Sequence, residues 1–115
     1  MNKLDLSRRE DRILPLLLTR QAAENGAADY LITDDRRLSF SAAEDLANRL
    51  AAGLRAHGVR RGDRVVFYLN NGWEPVILAL AVNKLGALWI PVNTDYKGAW
   101  LADTLERSRC RLLVS

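Results

Sequence analysis

Arg64-Val65-Val66-Phe67-Tyr68-Leu69-Asn70-Asn71-Gly72, with the stretch from Pro75 to Gly86 and then Ala87-Leu88-Trp89-Ile90-Pro91-Val92, decides the fold. From Val65 to Leu69 every side chain is β-branched, aromatic or aliphatic. A strand that is apolar at every position, and not only at alternate ones, is covered on both faces, as strands of parallel sheets are. Asn70-Asn71-Gly72 reads as a polar loop, and Pro75 falls in the first turn of a helix, where its missing N–H costs little. Val76, Ile77, Leu78, Leu80, Ala81, Val82 and Leu85 leave this helix almost no polar face, so it belongs between a sheet and a second layer. Gly86 stops it. Ala87 to Val92 reads as a second strand of the buried kind and Asn93-Thr94-Asp95 as a loop. Lys97 to Arg107 follows as a helix with Trp100, Leu101 and Leu105 turned inward, and Arg111 to Val114 as a third strand. Strand and helix alternating in this way imply right-handed crossovers and parallel strands. The fold class is α/β, a βαβαβ parallel sheet.

The segment upstream predicts a helix and a short β-hairpin ahead of that sheet. Residues 1–11 form a polar N-terminal arm, and residues 12–115 the structured unit. Ile13, Leu14, Leu17 and Leu18 recur at helical spacing until Gly26, which can end the helix. Tyr30 to Thr33 and Arg37 to Phe40 are brief β-type runs joined by Asp34-Asp35-Arg36, a composition suited to a turn. Ser41 and Glu44 make the Ser-x-x-Glu capping box, which predicts a helix starting there. Ala43, Leu46, Ala47, Leu50, Ala51 and Leu54 give that helix an apolar stripe, with Glu44, Asp45, Asn48, Arg49 and Arg55 off it and in water. Gly58 supplies a left-handed stop. A buried-type strand that reaches Ser115 with no closing helix reads as a truncated domain.

Composition narrows the function. With 115 residues and 49% of them apolar, the chain can bury one modest core. Its 17 basic and 14 acidic residues leave a net charge of +3, without any long single-sign block. The densest basic run, Arg60-Arg61 with Arg64, straddles a Gly-Asp turn and carries no interleaved aromatics, which argues against nucleic acid as a partner. Cys110 is the only cysteine, so there is no disulfide framework and no thiolate zinc site, and a reducing, cytoplasmic setting fits. The apolar stretch Ile13 to Leu18 is broken by Pro15 and is far too short to span a bilayer.

No single motif names a chemistry. Asn70-Asn71-Gly72-Trp73 holds one glycine and matches neither dinucleotide nor phosphate-loop fingerprints, so it reads as a capped strand-to-helix connection. His57 stands alone at a helix end, where a positive charge complements the dipole, and no carboxylate or thiol cluster makes it a metal ligand. Cys110 has no partnered base nearby in sequence. Trp73, Trp89 and Trp100 could line an acyl pocket, although tryptophans in such a unit are more often core or interface residues.

Order and spacing of several short motifs say more. Leu38-Ser39-Phe40-Ser41, Leu46-Ala47-Asn48-Arg49-Leu50-Ala51, Gly58-Val59-Arg60-Arg61-Gly62-Asp63-Arg64-Val65 and Asn83-Lys84-Leu85-Gly86-Ala87-Leu88-Trp89-Ile90-Pro91-Val92-Asn93 together resemble the N-terminal subdomain of the adenylate-forming (AMP-binding) superfamily. The resemblance runs over about residues 12–115 and is nearest to the acyl-CoA synthetases. Asn93-Thr94 followed by Lys97-Gly98 and Leu101 further resembles the carnitine- and crotonobetaine-type CoA ligases. It implies an enzyme that turns a carboxylic acid, ATP and coenzyme A into acyl-CoA, AMP and pyrophosphate by way of an acyl-adenylate, with Mg2+ at the phosphates.

The resemblance also implies what is missing. Family members use a Gly/Ser/Thr-rich phosphate loop ending in Pro-Lys-Gly, a Tyr/Thr-x-x-Glu element, a ribose-holding Asp and a lysine in a C-terminal lid. None of these is among the 115 residues, so no catalytic residue and no metal ligand is assigned, and the chain alone is expected to be inactive. The one stretch with an implied ligand role is Asn93, Thr94 and Asp95, whose loop would approach the coenzyme A channel. The residues themselves leave open that one of the three simply caps the following helix. The alternative function is a small non-catalytic α/β binding or oligomerisation module.

Overall fold

The structure is a computed structural model that describes residues 5–11 and 13–115. Of the polar arm expected over 1–11, residues 1–4 lie outside the described residues, and the remainder carries a short 3-10 turn at Arg9–Asp11. Nine helices and strands follow: α1 (Leu14–Asn25), β1 (Asp29–Ile32), β2 (Arg37–Ser39), α2 (Phe40–Ala56), β3 (Arg64–Phe67), α3 (Trp73–Lys84), β4 (Leu88–Pro91), α4 (Gly98–Ser108) and β5 (Leu112–Val114).

β3 is central. It pairs in parallel with β4 on one side, Val65 opposite Trp89, and with β5 on the other, Val65 opposite Leu112. That placement explains why its residues are apolar whichever way they point: Val65, Val66 and Phe67 are all buried. Side chains alternate along a strand, so Val65 and Phe67 share the face that packs on α3, and Val66 and Tyr68 take the face on which α4 lies. The strands run parallel, as expected, and β5 crosses back over β3 to pair on its far side. β4 was expected to be a buried strand. It is an edge, and Leu88 is 54% exposed. Pro91, which has no N–H to offer a neighbour, suits that position.

α3 joins two cores. Leu78, Ala79, Ala81 and Val82 pack with Ala51 and Leu54 of α2 and with Val65 and Phe67 of the sheet. Ile77 and Leu80 pack the other way, against Leu18 of α1, Leu38 of β2 and Ala43 and Ala47 of α2. A helix clasped on two sides has no face left for water, which accounts for its unbroken apolar run. The hairpin of β1 and β2 closes the second core, with Arg37 bonded to Asp29 across it at 2.7 Å.

Helices α2 and α3 end in the same way. Gly58 (φ 92°) and Gly86 (φ 70°) take the left-handed conformation. In each case the next residue's N–H reaches back five residues, Val59 to the Leu54 carbonyl and Ala87 to the Val82 carbonyl. These are Schellman closures, and the two residues so joined also pack together in the core.

Three expectations need correction. The capping box is not formed: α2 starts at Phe40, its cap is Ser39, whose hydroxyl accepts the Ala42 N–H at 3.1 Å, and the Ser41 N–H goes to the Gly26 carbonyl. Glu44, expected in water, instead faces α3 and α1, with Oε1 2.8 Å from Lys84 Nζ and 2.9 Å from Thr19 Oγ1. The same Ser-x-x-Glu spelling is claimed by a tertiary contact that local spacing does not reveal. Trp100, expected inward, is 70% exposed and stacks on Tyr96 at 5.2 Å, while Leu101 and Leu105 are half-buried.

Candidate functional site

The carboxyl ends of parallel strands are where open α/β sheets gather ligands, because the strands stop and the loops splay apart there. Here β3 and β4 end side by side, and a cleft of ≈ 360 Å³ opens between the loops that leave them. Asn70 and Asn71 come from the first loop, Asn93 and Thr94 from the second. A neighbouring hollow is bounded by Tyr68, Asn70, Thr94, Asp95 and Lys97. The structure therefore places Asn93 and Thr94 at the cleft and Asp95, with Thr94, at the adjoining hollow.

It also shows what these three residues do locally. None of them caps α4, whose N-cap is Lys97 without a side-chain bond. Asn93 Oδ1 accepts the Asp95 N–H at 2.8 Å, and the Asn93 carbonyl accepts the Tyr96 N–H at 3.0 Å, so the loop is a tight turn. Thr94 Oγ1 donates to Asn70 Oδ1 at 3.0 Å and bridges the two loops. Beneath them the Tyr68 hydroxyl lies 3.0 Å from the Thr94 carbonyl and 2.7 Å from the Tyr96 carbonyl. Lys97 Nζ stands 5.7 Å from the centre of the Tyr68 ring.

Tyr68, Asn70 and Lys97 were missed as site residues. The strand-end rule that singled out Asn93 to Asp95 applies equally to β3 and would have found Asn70. The connection Asn70-Asn71-Gly72 is not the capped one expected, because the N-cap of α3 is Gly72, which makes no side-chain cap bond. The three tryptophans do not converge: Trp73 lies under the Arg36 guanidinium at 4.4 Å, Trp89 stacks on Phe67, and Trp100 on Tyr96. None of them lines the cleft. His57 is exposed, with Nδ1 2.9 Å from the Gly53 carbonyl. Cys110 is half-buried.

Chemically the cleft offers side-chain amides and a hydroxyl, with one carboxylate and one ammonium at its rim. It has no nucleophile paired with a base. Among the described residues no three of His, Cys, Asp and Glu come together to hold a metal, and no helix is long and apolar enough to cross a membrane.

Comparison with known proteins places this scaffold. A Rhodococcus jostii enzyme, 3-[(3aS,4S,7aS)-7a-methyl-1,5-dioxo-octahydro-1H-inden-4-yl]propanoyl:CoA ligase, is 35% identical over 100 residues, covering 87% of this chain and 19% of that ligase. The crotonobetaine/carnitine-CoA ligase of Salmonella paratyphi A is 32% identical over 80 residues, covering 70% of this chain and 16% of that enzyme. The N-terminal subdomain of Klebsiella oxytoca NpsA superposes with a TM-score of 0.81 at 25% identity, over 90% of this chain and 27% of that one. The chain thus spans a fifth or less of these two ligases and about a quarter of that subdomain. The profile of the AMP-binding enzymes matches residues 18–115, which take in the whole parallel sheet and its helices, and the chain belongs to that family.

Proposed function

We propose that this chain forms part of the scaffold of an ATP-dependent acyl-CoA ligase, in which a carboxylic acid and ATP give an acyl-adenylate and pyrophosphate and the acyl group then passes to coenzyme A. Family membership and the CoA ligases among the relatives support the reaction class. One observation supports a role for this chain's own residues: the cleft at the ends of β3 and β4 is lined by Asn70, Asn71, Asn93 and Thr94. Neutral amides and a hydroxyl match the amide groups of a pantetheine arm. They match a polyphosphate poorly, since the one ammonium at the rim, Lys97, is offset by the Asp95 carboxylate beside it. Asn93, Thr94 and Asp95 are therefore assigned to the coenzyme A channel.

The motifs by which the family handles ATP are not spelled in these 115 residues, and among the described residues no three of His, Cys, Asp and Glu gather to hold a metal. No step is routed through either. A reducing, cytoplasmic compartment goes with this reading, consistent with the lone half-buried thiol of Cys110.

Two measurements test the proposal. Purified chain incubated with ATP, Mg2+, coenzyme A and a panel of carboxylic acids is expected to form no thioester above a mock preparation, and turnover would overturn the assignment of catalysis to other residues. In 15N spectra of the same chain, pantetheine is expected to shift the signals of Asn70, Asn93, Thr94 and Asp95. Shifts confined to other regions would remove these residues from the channel.

The exposed sheet edges favour a second reading, a non-catalytic association module: Leu88 is 54% exposed, Trp89 41% and Leu113 42%. Light scattering distinguishes it, since such a module must form a defined oligomer and a monomer rules it out.

A further inference from the structure

The Tyr68 side chain sits at the end of β3 and underneath the loop that follows β4. Its single hydroxyl proton faces two carbonyl oxygens, those of Thr94 at 3.0 Å and Tyr96 at 2.7 Å. One proton shared between two acceptors ties down two peptide groups of the connection between β4 and α4, residues 92–97, at once. The ring below holds the Lys97 ammonium at 5.7 Å, at the residue that caps α4. Two carbonyls of the loop and the side chain at the start of α4 thus meet one side chain at the end of the neighbouring strand.

We propose that Tyr68 is a positioning residue that latches the Asn93–Lys97 loop and so fixes the direction in which Asn93 and Thr94 face the cleft. Backbone bonds alone do not do this. Within the loop, the Asn93 carbonyl and Asn93 Oδ1 close the turn by accepting the Tyr96 and Asp95 N–H groups, but both bonds are internal to the turn and leave it free to pivot as a unit. The contacts that stop the pivot reach outside it: Val92 N–H to the Phe67 carbonyl at its root, Thr94 Oγ1 to Asn70 Oδ1 at its exposed tip, and Tyr68 from below. The Val92 bond, between two buried residues, holds only the root, and of the two contacts made on the loop itself the half-buried Tyr68 is less open to competition from water than the exposed Thr94–Asn70 bond. The latch deepens the coenzyme A reading given above and rests on it for its ligand, but the order it imposes on the loop does not.

The test is Tyr68→Phe in the 115-residue chain, which keeps the ring and its contact with Lys97 and deletes only the hydroxyl. Amide exchange is expected to accelerate by about fivefold at Asp95 and Tyr96, the factor that corresponds to one net hydrogen bond. The amides of Val65 to Phe67 should keep their protection, as an internal control for the sheet. The pantetheine-induced shifts at Asn93 and Thr94 should weaken severalfold. Unchanged exchange at Asp95 and Tyr96 overturns the latch, whatever pantetheine does. Faster loop exchange with no pantetheine response in the parent chain upholds the latch and sinks the coenzyme A reading. A measurement without any variant guards against a chain that fails to fold: the parent should show a slowly exchanging Tyr68 hydroxyl proton with proximity signals to Thr94 and Tyr96. Their absence also overturns the proposal.

Discussion

Replacing Lys84 with Met tests the contact that joins the three helices. Lys84 Nζ lies 2.8 Å from Glu44 Oε1, with the side chains 14% and 16% exposed. The second carboxylate oxygen, Oε2, is buried without a hydrogen-bond partner, so the compensation for that charge falls on Oε1, which takes Lys84, the Thr19 hydroxyl and, at 3.4 Å, the Asn48 amide. Without the ammonium, a carboxylate is left among α1, α2 and α3 with one hydroxyl and one long amide contact. Breaking a fully buried pair costs about 3–5 kcal/mol, and the residual exposure and the retained hydroxyl place Lys84→Met near the lower end, about 3 kcal/mol. The double variant Glu44→Met with Lys84→Met exchanges the pair for apolar groups of similar length and is expected to come back to within about 1 kcal/mol of the parent. For comparison, Asp45 and Arg49, one turn apart with side chains 59% and 76% exposed, form the ordinary surface pair. Removing that one should cost no more than about 0.5 kcal/mol. Urea unfolding followed by circular dichroism reads all three. If Lys84→Met loses less than about 1 kcal/mol, or the double variant is no more stable than the single one, the reasoning fails.

The position of the α2 cap is open to a simple comparison: Ser39→Ala should cost about 1 kcal/mol in urea unfolding, and Ser41→Ala a few tenths, whereas the capping-box reading reverses the order. Ile77→Ala hollows the junction of the two cores, where the side chain is fully buried, and a loss of about 3–4 kcal/mol is expected by the same assay. Burial raises the Tyr30 hydroxyl above its ordinary value of 10.0. The folded state therefore favours the neutral phenol. The resulting stability is fully present below pH 10.0 and is lost as the pH climbs through the raised value. Tyr30→Phe should flatten that alkaline decline, and an unchanged decline in a pH series of melting curves would assign it to another group.

The parts of the fold that the sequence makes plain are those in which burial leaves no choice of residue. α3 is apolar in every direction because two cores claim it, and β3 is apolar from Val65 to Phe67 because both of its faces are covered. Both can be read without knowing what those neighbours are. The glycine stops at Gly58 and Gly86 are legible for a similar reason, since a backbone conformation dictates the residue. Contacts between distant side chains are not legible in this way. Glu44 sits at a spacing that suits a cap, and nothing local says that Lys84, 40 residues on, will take it instead. The order of strands across the sheet is also hidden, because a parallel strand of Leu and Val fits either edge of β3 equally well. At the cleft, Asn93 to Asp95 could be found from a rule about strand ends. Tyr68 acts on backbone carbonyls, which every residue has, so its role carries no signature in the sequence.

The central position of β3 has a consequence for how the chain comes together in time. Val65 finds its partner Trp89 after 24 residues (89 − 65) and its partner Leu112 only after 47 (112 − 65). As the polypeptide leaves the ribosome, β3, α3 and β4 can collapse first, leaving one side of β3 bare. That free edge must stay unpaired until β5 emerges, and during the interval it can pair with another nascent chain. Synthesis speed across residues 92–112 therefore sets how long the unit is exposed to misassembly, and slow translation there should lower soluble yield without changing the stability of the molecules that fold.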